Sequence, residues 1–178
     1  MGMSKSGVWI LAALFAAIAG CMDWRSRRIP NWLTVSGLVL GMAVNGAMRG
    51  WSGIRDALLG AGLGLLLLLP FVLVRSLGAG DWKLAGALGA FFGPQQLLAV
   101  LFATILIGGV MALALIVWKR RVRQTLRNMA RMMAALFSFH LPGRDVSLDN
   151  PDALKIPFGV AAAIAVILYS AGQVWSAT

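Results

Sequence analysis

The sequence predicts an all-α, multi-pass membrane protein, and three observations carry that expectation. Of 178 residues, 60% are hydrophobic and 12% charged, and 21 are glycine. The mean hydropathy is +0.82. Uncharged apolar runs recur that reach or approach the roughly 20 residues a helix needs to cross about 30 Å of hydrocarbon. Lipid offers no hydrogen-bond partner to a peptide group, so such runs must satisfy their own backbone as helices. This composition excludes a disordered chain and argues against a water-soluble globule.

Taken in order, the apolar runs predict six spans, at about residues 8–22, 32–48, 57–74, 77–92, 97–118 and 157–175. Pro30 and Asn31 suit the start of the second, where proline needs no donor and asparagine can cap. The fourth and fifth are divided only by Gly93-Pro94-Gln95-Gln96, a turn too short for anything but a tight hairpin. The stretch 119–156 is the one sizeable soluble piece. Within it Val122, Leu126, Met129, Met133 and Leu136 recur at steps of three and four, with Arg120, Arg123, Arg127 and Arg131 on other faces. That pattern predicts an amphipathic helix lying on the cytoplasmic membrane surface, where the arginines dock on lipid headgroups or substrate. No internal repeat divides the chain, so residues 1–178 are read as one domain.

Charge orients the spans. Sixteen Lys and Arg stand against six acids, all Asp, for a net charge of +10. In a membrane chain this excess marks loops facing an anionic cytoplasmic leaflet and gives no reason to invoke nucleic acid. If the loops after spans one, three and five are cytoplasmic, only Lys5, Arg49 and Arg55 fall on the other side. Both termini are then expected outside the cytoplasm. The single cysteine, Cys21, allows no internal disulfide and no CxxC zinc cluster, so no metal or cofactor is expected. Ile18-Ala19-Gly20-Cys21 also has the look of a lipoprotein cleavage site, but cleavage there would export Arg25, Arg27 and Arg28 against the charge bias. His140, alone of its kind, is read as a bystander in the long loop.

Two acids stand apart from the rest. Asp56, Asp145, Asp149 and Asp152 fall in expected loops, but Asp23 closes the first span and Asp81 lies about one turn inside the fourth. On the orientation above, both carboxylates sit at the cytoplasmic end of the membrane. Two carboxylates at one depth suit hydrolysis of a peptide bond by activated water, one taking a proton from water while the protonated partner polarises the carbonyl. From spacing alone, the competing reading is that each Asp pairs with Arg25, Arg27, Arg28 or Lys83 at the interface. Gly78-Ala79-Gly80 strips side chains from the approach to Asp81, which lets backbones or an extended substrate come close. Lys83 could steady the ionised carboxylate or reach to headgroups.

The segment from Asp23 through Arg28, Ile29, Pro30 and Asn31 to Leu33-Thr34, together with Gly78-Ala79-Gly80-Asp81-Trp82-Lys83-Leu84, resembles the two acidic motifs of the type IV prepilin peptidases. Lys155-Ile156-Pro157-Phe158-Gly159 is similar to the family's C-terminal signature. The resemblance implies a GxGD aspartic endopeptidase of the cell membrane that removes the basic leader of a prepilin-like precursor, with Asp23 and Asp81 as the catalytic pair. Gly78, Gly80, Lys83, Arg28, Pro30 and Asn31 would be its supporting residues. The long bifunctional members carry paired CxxC motifs between the first two helices and also methylate the new N-terminus; here the loop between the first two spans has about nine residues, and the chain has one cysteine in all. The chain therefore resembles the short, peptidase-only branch of tight-adherence pili and archaeal preflagellin processing, with no methyl donor implied. Homo-oligomerisation stays open. Two other classes compete: a small transporter or channel with an interfacial Asp pair, and a non-catalytic pilus or secretion assembly protein.

Overall fold

The computed structural model describes residues 5–73, 76–119 and 157–175. Four helices make up the described chain: α1 (Lys5–Ser26), α2 (Asn31–Leu73), α3 (Ala79–Trp118) and α4 (Phe158–Trp175). All four are long and apolar enough to cross a membrane. Four such helices, rather than the six separate ones expected, are therefore found among the described residues. The difference has a local cause. The expected loops near residues 49–56 and 93–96 are each reduced to one non-helical residue, so hydrogen-bonded helix continues on either side.

Those two residues are Gly50 (φ 61°, ψ −140°) and Gly93 (φ 71°, ψ 177°). Such positive-φ backbone is open to glycine and strained for any residue with a Cβ. Each break folds its helix back on itself. A straight α2 would be about 64 Å long at 1.5 Å per residue, with Gly46 and Ile54 two turns apart. Instead a Cβ on Gly46 would lie 2.9 Å from Ile54 Cγ1, and Arg49 pairs with Asp56 at 2.8 Å across the break. In α3, Ala85 and Leu97 both lie against Gly64, one on each side of Gly93. Asp56 thus belongs to a helix and an ion pair, and does not sit in the loop expected for it.

Small residues let these segments meet backbone to backbone, as helices must where lipid is as apolar as leucine. Gly60 and Gly89 face each other so closely that a Cβ on either would overlap the other's backbone, and Gly41 rests on Ala90 and Phe91. The folded-back pair α2 and α3 forms the larger contact; α1 packs chiefly on α4. These last two run antiparallel, with Gly20 against Ala163 at one end and Trp9 against Tyr169 at the other (ring centroids 5.8 Å apart). On α1 the buried stripe is Ala12, Ala16, Ala19 and Asp23, while Ile10, Leu14 and Ile18 on the opposite face are more than half exposed, where lipid would cover them. Trp24, Trp51, Trp118 and Trp175 are all exposed.

Candidate active site

Asp23 lies on the inward stripe of α1 because it follows Ala19 and Ala16 at helical spacing, four and then three residues back. It falls in the last turn of the helix rather than beyond it, since α1 extends to Ser26. Its side chain is 5% exposed, and its Oδ2 accepts a 2.8 Å hydrogen bond from the Gly159 N–H at the start of α4. The Val160 N–H also faces it. A helix N-terminus presents just such unsatisfied donors to an acceptor. Gly159 has to be glycine for this approach: a Cβ there would stand 2.9 Å from Asp23 Cβ and 3.0 Å from its Oδ2.

Asp81 occupies the first turn of α3, nearer the helix end than expected because the helix starts at Ala79. Gly78 is the N-cap, and Asp81, three residues on, takes a hydrogen bond back from the Gly78 N–H. This is the acidic half of a capping box. The side chain is half-buried and heads the inward stripe that continues through Leu84, Ala85 and Leu88. Asp23 and Asp81 come near enough for their charges to interact. Each carboxylate is thus held by backbone donors at a helix start, Asp81 by its own helix and Asp23 by α4.

Asn31 is the first residue of α2, with Pro30 at the cap position. The Asn31 side chain does not cap; its Oδ1 accepts a 2.9 Å hydrogen bond from Lys83 Nζ and so ties the first motif to the second. Gly80 lies against Ile29 and Gly78 against Asp81. Arg28 is exposed in the connection between α1 and α2, while Arg27 beside it has positive φ (53°) and attracts Asp23 electrostatically. Cys21 is exposed within unbroken α1. Arg120, Arg123, Arg127, Arg131, His140, Asp145, Asp149, Asp152 and Lys155 lie outside the described residues. No group of three or more His, Cys, Asp or Glu able to hold a metal occurs among the described residues.

Sequence reasoning missed a second polar cluster at the opposite end. Asn45, 5% exposed, donates to the Ala90 and Phe91 carbonyls at 2.9 and 3.0 Å and accepts from Arg49 at 2.9 Å; Arg49 in turn pairs with Asp56. It lines a cavity of about 550 Å³ with Trp9, Phe92, Gln95 and Gln96. A lone asparagine in an apolar run was the available signal, since a buried amide in lipid needs partners.

Comparison with known proteins agrees with the motifs. The sequence model of the type IV leader peptidase family matches residues 10–113, a stretch that includes both Asp23 and Asp81. The prepilin leader peptidase/N-methyltransferase of Aeromonas hydrophila is 35% identical over 115 residues, covering 61% of this chain and 38% of that protein. Its namesake in Xanthomonas campestris pv. campestris is 30% identical over 132 residues, covering 70% of this chain and 45% of that one. The matches thus span less than half the length of these curated relatives. No solved structure matches the chain. With two motif aspartates gathered at one end of a helical membrane fold and the family's sequence pattern running through both, the chain belongs to the type IV leader peptidase family.

Proposed function

We propose that this protein is a membrane aspartic endopeptidase that cleaves the leader from type IV prepilin-like precursors, with Asp23 and Asp81 activating the water. The observation that carries the reading is the approach of these two carboxylates, 58 residues apart in sequence, each steadied by backbone N–H groups. In the reaction, the ionised carboxylate takes a proton from water as its oxygen attacks the scissile carbonyl carbon. The protonated partner donates a hydrogen bond to the carbonyl oxygen and stabilises the charge that develops there. The proton then passes to the amide nitrogen as the C–N bond breaks. Neither carboxylate can do both tasks, so replacing either by its amide should remove cleavage.

The active site faces the cytoplasm and both termini lie outside, with each half of α2 and α3 crossing the bilayer separately. Support comes from the partition of basic residues and from the reversals at Gly50 and Gly93: the first returns α2 to the end where Asp23 lies and α3 starts, and the second returns α3 to that same end. The connection between α1 and α2 is residues 27–30 alone, and the chain has one cysteine, so the reading is of a peptidase without the methyl transfer named for the longer relatives. Co-expression with a candidate prepilin tests it, the precursor's mobility on a gel being the readout. Asp23→Asn and Asp81→Asn should each lower processing at least about a hundredfold while the protein still accumulates in the membrane. Near-normal processing by either variant would overturn the pair assignment.

A further inference from the structure

A buried side chain lies between the starts of α3 and α4. Ile29 is 7% exposed, although residues 24–28 before it are all exposed. Its carbonyl oxygen and Cβ lie 3.3 and 3.4 Å from where a Cβ on Gly80 would stand, and its Cδ1 lies 3.1 Å from the same point on Gly159. Gly80 directly precedes Asp81, and Gly159 donates its N–H to Asp23. Ile29 therefore lies against both the backbone that carries Asp81 and the one that holds Asp23. Its own segment is fastened at each end: the Arg27 N–H donates to the Asp23 carbonyl at 2.8 Å, Ser26 Oγ donates to the Arg28 carbonyl at 3.0 Å, and Asn31 receives Lys83. A β-branched side chain between two glycines is a stiff insert, because its χ1 is restricted and neither neighbour has a side chain to yield.

We propose that Ile29 is a positioning residue, a spacer resting on Gly80 and Gly159 that sets the separation of Asp81 from Asp23. The proposal rests on the peptidase reading for its consequence, but the spacing itself can be read without catalysis. Shortening the spacer lets the start of α3 and the start of α4 settle toward each other. The carboxylates then meet water and the scissile carbonyl in the wrong geometry, and the loss falls on turnover rather than on substrate binding.

The test uses the full chain in membranes, with two readouts. In a Cys21→Ser background carrying Asp23→Cys and Asp81→Cys, thiol cross-linkers of graded length report the separation. The preferred linker should shorten in Ile29→Ala and shift less in Ile29→Val, which loses only the methyl that rests on Gly159. With both aspartates present, Ile29→Ala should lower kcat per folded enzyme by about tenfold to a hundredfold, the scale of an ångström's misplacement. KM should stay within about threefold and Ile29→Val should fall between Ile29→Ala and the parent. An unchanged linker preference, or a kcat within about twofold of the parent in folded Ile29→Ala, overturns the spacer. If Ile29→Ala does not accumulate, Ile29→Val carries the same two readouts, and no change in either overturns it. A parent that cleaves no prepilin-like precursor would sink the peptidase reading and leave the cross-linking result to judge the spacer alone.

Discussion

Gly159 shows most sharply how a single residue governs the site. A methyl at that position would press on Asp23 Cβ at 2.9 Å, on Asp23 Oδ2 at 3.0 Å and on Ile29 Cδ1 at 3.1 Å, so something has to move. Gly159→Ala should reduce turnover by about tenfold or more, measured at saturating substrate, with the folded protein still recovered from membranes. The matched control is Gly172→Ala in the same helix. Among the described residues, nothing outside its own stretch of helix lies within 4 Å of its added methyl, so relief of backbone entropy should raise stability by about 0.5–1 kcal/mol and leave cleavage unchanged. The Arg49–Asp56 pair behaves differently again. Both side chains are nearly half exposed, so the pair itself is worth at most about 1 kcal/mol.

At the scale of elements, the two long helices owe their shape to what happens at Gly50 and Gly93. Gly50 is a clean probe of backbone strain, because no neighbour among the described residues lies within 4 Å of an added methyl while its φ of 61° disfavours any side chain. Gly50→Ala should therefore cost about 1–3 kcal/mol through the backbone alone, read as a lower unfolding temperature in detergent. Asn45 supports the other turn. The Ala90 carbonyl would look to residue 94 for its helical partner, but Pro94 has no N–H, and the Asn45 amide donates to that carbonyl and to the one of Phe91. Asn45→Ala should destabilise by about 1–3 kcal/mol, with kcat unchanged because the cluster lies at the end remote from Asp23. Loss of turnover without loss of stability in that variant would mean the two ends are coupled.

At the scale of the whole molecule, the arrangement makes statements about sidedness. Single cysteines in a Cys21→Ser background should label from the cytoplasm at positions 26 and 145 and from outside at position 52, following the partition of basic residues. External labelling at position 26 would put the carboxylates on the wrong face for leader removal. The basic loop is expected to gather substrate at the membrane. Changing Arg120, Arg123, Arg127 and Arg131 together to Gln should lower cleavage in anionic liposomes more than in neutral ones, since each basic charge near anionic lipid is worth about 1 kcal/mol. An equal loss in both would assign those arginines to the substrate.

The sequence by itself determined the helical membrane character, the two acidic motifs and the family, because these depend on local composition and on residues close together in the chain. Asp23 facing inward was legible too, in the run Ala12, Ala16, Ala19, Asp23, once read at helical spacing. The number of separate helices was not. Apolar runs locate hydrocarbon-length segments, but whether a loop or one glycine joins two of them depends on backbone torsion, which hydropathy does not encode. Only the tertiary structure decided that the Gly159 N–H, 136 residues along the chain from Asp23, would hold that carboxylate, and that Ile29 would come to lie between Gly80 and Gly159. Those contacts arise where helix ends from distant parts of the chain converge, and glycine's missing side chain shows its purpose only when the neighbour that fills the space is known.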